Sequence, residues 1–263
     1  KFHAAGRIKG SGEAVALDLT VLAARTSTAL KGNLAMDGAG PRMDLELVAS
    51  NKSYVKLWQT FDPSFRMAKG GKDGPLSLTG KVAGDLSLIK LDIKSGLGKA
   101  KITAAGQIKP LTGGQYTLAL SASHPDAPVF LKGLGVAYDP AGQNFGGLAL
   151  KADITGENQQ LTVRNLSGNF GPLALAGTAA ASFGGQRPAI AAELRTSEIF
   201  VDLFMPRGNG SASTGKATRA GGGTGQGVER WSSDPIDLTA LGSADMNINL
   251  QAPGIIYGTY QFV

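Results

Sequence analysis

The chain has no cysteine. That excludes a disulfide scaffold, thiolate metal sites and a cysteine nucleophile. Histidine occurs twice, as His3 and His124, too few to build a structural zinc site without thiolates. Aromatic residues are scarce, 6% of 263, which leaves few ring platforms for stacking on sugars. No apolar run approaches the ~18–20 residues that cross a bilayer as a helix, and no signal peptide is visible. The formal charge is +6, but the positive residues are spread along the chain. The clustered footprint of a nucleic-acid binder is therefore missing, and a mild attraction to an anionic membrane surface is equally compatible. The chain starts and stops within its own pattern (KFHAAGRIKG, YGTYQFV) and reads as a piece of a longer protein, with any targeting segment outside it.

What is present is glycine, 38 residues, with 12 prolines and 42% apolar content. That mixture suits many short strands joined by tight turns. Alternation with a period of two dominates. Val15, Leu17 and Leu19 share one parity, as do Leu45 and Leu47, Leu76 and Leu78, and Leu118 and Leu120. Ile93, Leu148, Leu150 and Ile154 continue the pattern, followed by Val163, then Leu173 and Leu175. Glycine-rich breaks separate about a dozen such runs.

Three stretches interrupt the alternation and predict short helices near residues 51–61, 125–134 and 197–204. Each follows a strand and opens on a hydroxyl residue suited to capping a first turn: Ser50, Ser123 and Thr196. The three are spaced evenly, 73 residues apart, and apolar positions then coincide, Leu57 with Phe130 and Leu203, Trp58 with Leu131 and Phe204. Gly32, Gly106 and Gly177 also fall at matching places. The pattern reads as a unit of about four strands closed by a helix, recurring about three times. Residues 1–206 carry these units. Residues 207–230 are rich in Gly, Ser and Thr and read as a flexible linker or loop. Strands resume over 231–263.

The fold class expected is mainly β: a long curled antiparallel sheet of repeated strand units punctuated by short helices. A dozen amphipathic strands make one sheet with a continuous apolar face. Three helices of ~12 Å each cannot shield strands stacked ~4.8 Å apart, so the sheet must curl on itself. Closed, the apolar face is a dry core. Open, it is a trough lined by the alternating residues named above, each forgoing about 1.5–3 kcal/mol of burial unless a guest covers it. Acyl chains have the matching shape, and stacked repeats extend such a trough indefinitely.

The segment RWSSDPIDLTALGSADMNINLQAPGIIYG resembles one typical of AsmA-type proteins, at Trp231, Ser232, Pro235, Ile236, Asp237, Leu238, Leu241 and Asp245. LTVRNLSGNFGPLALAGTA (161–179) is similar to the strand–Gly–strand units of that family. The resemblance implies an envelope protein of Gram-negative bacteria with a periplasmic, taco-shaped β groove, anchored in the inner membrane by a helix outside this stretch. It further implies passage of phospholipid between inner and outer membranes, with phospholipid or another acyl-chain lipid as partner and no nucleic acid.

No catalytic constellation emerges, and neither cofactor nor metal is called for. His124 lies between Ser123 and Pro125 and reads as part of a capping turn, because sequence neighbours do not supply triad geometry. The carboxylates Asp92, Asp153, Asp202, Asp234 and Asp237 read as solvated surface, with no pair singled out. NKS (51–53) and NLS (165–167) match the glycosylation sequon, a pattern that a bacterial source leaves unused. GGGTGQG (221–227) lacks the context of a phosphate loop. Trp58 reads as a core-facing helix residue, with a membrane-interface anchor as the other option. Two further functions compete with a lipid conduit. One is a structural or adhesive β-repeat protein of the envelope with a closed dry core, and the other a carbohydrate-active enzyme on a β scaffold.

Overall fold

A computed structural model describes residues 2–11, 13–37, 40–142, 144–185, 187–205 and 245–262. The first unit is β1 (Phe2–Gly10), β2 (Ala14–Ala23), β3 (Thr26–Asp37), β4 (Gly40–Asn51) and α1 (Tyr54–Phe61). The second is β5 (Leu76–Asp85), β6 (Ile89–Leu97), β7 (Ala100–Lys109), β8 (Gln115–His124) and α2 (Ala127–Gly133). The third is β9 (Leu148–Glu157), β10 (Gln160–Phe170), β11 (Leu173–Ser182) and β12 (Ala189–Thr196), then β13 (Ile199–Phe200) and α3 (Val201–Phe204). β14 (Asp245–Gln251), β15 (Ile255–Tyr257) and β16 (Tyr260–Phe262) complete the described chain.

The protein is mainly β. Thirteen strands form one sheet in chain order, β1 to β12 followed by β14. Within this sheet every pairing is antiparallel except β12–β14, which is parallel. The sheet is open, with β1 and β14 at its two edges, and β13, β15 and β16 form a separate small sheet. Because successive strands reverse direction, the exits from β4, β8 and β12 all leave the same rim. That rim carries the helices; the opposite rim carries tight turns such as the two-residue loop Asn158–Gln159, both at positive φ.

The 73-residue beat recurs in backbone hydrogen bonds. Ala68 N donates to Lys132 O (2.9 Å), and 73 residues further on Ala141 N donates to Met205 O (2.8 Å). Each unit's post-helix loop thus receives the end of the next helix. Gly98 N to Pro75 O and Gly171 N to Gly147 O, both 2.8 Å, form another matched pair. Gly32, Gly106 and Gly177 share φ values of +144°, +156° and +155°. A Cβ on any of them would lie 2.0 Å from a carbonyl of the adjacent strand, Asp44 O, Thr117 O or Glu193 O. Only glycine fits that conformation and that close approach.

The helices are shorter than expected and their caps lie three residues later. Ser53 Oγ accepts from Lys56 N and caps α1, while Asp126 caps α2 by accepting from Val129 N. α3 has no side-chain cap, and β13 occupies the start of its expected range. Ser50, Ser123 and Thr196 are not caps because the sheet claims them: each still belongs to its strand, β4, β8 or β12. Trp58 is not core-facing. It is 53% exposed, resting on Phe65 at 5.6 Å, whereas Tyr54 and Val55 turn inward. An eight-residue helix on a rim has only one buried side, and those two residues take it. The expected linker at 207–230 and the motif from Trp231 to Leu241 lie outside the described residues; Asp245 opens β14.

Candidate functional site

Strand pairing decides which side chains share a face. One cross-strand row starts at Ile8 and passes Leu17, Leu45, Leu91 and Leu118 on its way to Ile248. It crosses all thirteen strands and contains only Leu, Ile, Val, Ala and Gly. The row on its helix-rim side, through Leu19, Leu47, Ile93 and Leu120, is equally apolar. The row on its turn-rim side, through Val15, Met43, Tyr116 and Leu161, has a single polar atom, the Tyr116 hydroxyl. Toward the helix rim, polar groups enter as Thr28, Ser95 and Thr196, then Asn51 and His124. No charged side chain of the described strands occupies this face.

All the residues singled out by alternation, from Val15 to Leu175, lie on this one face. Every one of them is half-buried and none is fully covered. Alternation missed Leu166. β10 carries a bulge between Val163 and Leu166, with Asn165 at φ 51°, so parity switches within the strand. An asparagine inside an apolar run is the one local signal for that switch. Leu30 and Leu34 were also missed, because Gly32 between them hides the alternation.

Conventional core is sparse. The buried side chains, among them Ala49, Asn51, Tyr54, Ala127 and Phe145, sit along the helix rim, and no large described side chain is completely enclosed. An aromatic cluster there ties α3 to the loop after α2: the Phe145 ring lies 5.2 Å from Phe170 and 5.3 Å from Phe204. Tyr54 in the same layer has its hydroxyl pKa pushed up, by burial and then by the charge of Asp73.

The opposite face is polar. In register across six strands stand Arg7, Asp18, Lys31, Glu46, Lys81 and Asp92, alternating in sign. Lys81 Nζ lies 2.7 Å from Glu46 and Lys31 Nζ 3.5 Å from Asp18. Lys81 holds the Glu46 carboxyl below its ordinary pKa through a hydrogen bond and its charge.

No family model, curated protein or solved structure matches the chain.

Among the described residues, no group of three or more His, Asp or Glu is placed to hold a metal ion. No helix among the described residues is long and apolar enough to cross a membrane. His124 makes the turn contact expected of it, Nδ1 accepting from Asp126 N at 3.0 Å. Of the carboxylates, Asp153 accepts from Asn165 at the bulge and Asp202 from Gly258 N. Asp234 and Asp237 lie outside the described residues. Of the two sequons, Asn51 is buried and hydrogen-bonded, while Asn165 is exposed.

Proposed function

We propose that this chain is a lipid-binding conduit: acyl chains lie along the apolar face while their head groups stay in water. One observation carries the reading, the set of three uncharged rows that run edge to edge with no second layer over them among the described residues. Twelve strand-to-strand steps at about 4.8 Å make a track of roughly 58 Å. Three rows, spaced two residues apart along the strands, make a band about 14 Å wide. That width is close to half the ~30 Å hydrocarbon core of a bilayer, the length of one leaflet's tails. In this reading the open sheet curls around its cargo as a groove.

The resemblance to AsmA-type proteins extends the proposal to setting and cargo. The full-length protein is anchored in the inner membrane, this part lies in the periplasm, and the cargo is phospholipid moving between inner and outer membranes. A structural or adhesive protein with a dry core fits less well, because such a core requires large side chains packed out of solvent.

The direct test is lipid extraction from the purified protein followed by mass spectrometry, with uptake of a labelled phospholipid alongside. Bound phospholipid is expected. A protein that carries no lipid and takes up none ends the proposal. Leu118→Asp should abolish uptake and leave the circular dichroism spectrum intact, since the half-open position lets the new carboxylate stay hydrated. In a dry core the same buried charge would unfold the chain.

A further inference from the structure

The first two repeat units solve one local problem with different side chains. Asn51 ends β4, one register step past the Ser27–Ser50 pair, and so stands opposite Thr26. Its Oδ1 accepts from Ser53 N (2.9 Å), and its Nδ2 donates to Thr26 Oγ1 (2.9 Å) and Ala24 O (3.2 Å). His124, 73 residues on, ends β8 one step past the Lys101–Ser123 pair, opposite Ala100. Its Nδ1 accepts from Asp126 N just as Asn51 does from Ser53 N. An accepting Nδ1 places the proton of the neutral ring on Nε2. Where the first unit offers the Thr26 hydroxyl, the second offers the methyl of Ala100. Among the described residues, Nε2 has no hydrogen-bond partner; the residue is 8% exposed and its ring is stacked on Phe130 at 5.5 Å.

His124 lines a cavity of ≈ 280 Å³ between the loop after α1 and α2. Lys72 and Lys99 line it too, and neither is in an ion pair among the described residues. The one carboxylate in the wall, Asp73, is already engaged by Ser53 Oγ (2.6 Å), Gly74 N (2.7 Å) and Val55 N (3.3 Å). The Tyr54 hydroxyl in the wall donates to Lys72 O (2.8 Å), and Phe130, Leu134 and Leu97 supply apolar surface. Leu97 and His124 also end two strands on the apolar face, so the cavity adjoins that face.

We infer that this cavity binds the phosphate of a phospholipid, with His124 Nε2–H donating to a phosphate oxygen. Lys72 and Lys99 neutralise the charge, and the acyl chains leave past Leu97 onto the apolar rows. The volume holds a phosphate with part of its glycerol, not a whole lipid. The inference rests on the conduit reading for the acyl chains; the phosphate contact belongs to the cavity itself.

Imidazole NMR reads this directly, because the chain has one other histidine, His3. The full chain is titrated with dihexanoyl phosphatidic acid, with neutral dihexanoyl glycerol and with inorganic phosphate, while a fluorescent fatty acid reports on the apolar face. Dihexanoyl phosphatidic acid should move the His124 signals saturably and leave His3 unmoved, while dihexanoyl glycerol displaces the fluorescent probe without moving His124. His124→Asn keeps an acceptor for Asp126 N but lacks the reach of Nε2, and should weaken dihexanoyl phosphatidic acid about tenfold. Should that variant fail to fold, the exposed pair Lys72→Gln with Lys99→Gln carries the same test. If the two dihexanoyl lipids bind equally with His124 unmoved, the phosphate site is overturned and the conduit stands. If inorganic phosphate moves His124 as strongly as the lipid does, the phosphate site is upheld and the lipid source overturned. If neither lipid nor fatty acid binds and His124 stays still, conduit and phosphate site fall together.

Discussion

The two faces of the thirteen-strand sheet share one backbone and differ in every other respect. Toward the helices lie rows of Leu, Ile, Val, Ala and Gly without a charge; on the other side lies an alternating line from Arg7 to Asp92. A soluble sheet with one apolar face normally covers it with a second layer. Among the described residues the helices reach only the rim, and the buried side chains gather there. The difference teaches that burial and open apolar surface are divided in space among the described residues. The rim holds the molecule together, and the apolar face remains half-open along its length.

The largest effect is expected where the apolar face touches backbone. Gly106→Val puts a branched side chain against Thr117 O, and should cost about 3 kcal/mol or more. At about 2–4 °C per kcal/mol, that is a fall of roughly 10 °C in Tm by calorimetry. Thr117→Val, next door on the polar face, should stay within about 0.5 kcal/mol. Equal shifts would erase the distinction between faces. Next comes Leu118→Asp against Ala119→Asp. These neighbours point to opposite sides, and only the first should lose phospholipid uptake.

A smaller effect belongs to the rim. Asp126→Ala removes the cap of α2 and should cost about 1 kcal/mol by chemical denaturation, leaving fatty-acid binding on the apolar face unchanged. The smallest belongs to the polar face. Glu46→Gln removes a fully exposed ion pair, which should leave Tm at neutral pH unchanged. Because the folded-state pKa of Glu46 is lowered, its attraction to Lys81 is present above the ordinary carboxylate range. It is lost as pH falls through that lowered value. NMR titration of the Glu46 carboxyl should therefore show a midpoint below that of an unpaired glutamate.

Much of this was legible along the chain. Val15, Leu17 and Leu19 announce their face through a period of two, which is a property of any extended backbone. Apolar runs 73 residues apart placed all three helices to within a few residues. The caps were misread because Ser50 and Ser53 are both good capping residues, and only pairing with β5 shows that the strand runs on to Asn51. The parity of Leu166 was hidden because a bulge inserts one residue without a strong composition signal. His124 was legible as a turn residue. Its unpartnered Nε2 was not, because it depends on Ala100 of β7 standing where the first unit has the Thr26 hydroxyl, and no local pattern ties β7 to it.

By itself the sequence determined the strand periodicity, the four-strand beat and the glycines that recur with it. All three are local or repeat as local units. Tertiary structure alone decided that alternating runs on thirteen strands line up as unbroken rows, that the helices gather on one rim, and that β14 joins in parallel. Those outcomes depend on hydrogen bonds between residues distant in the chain, whose register local preference does not set.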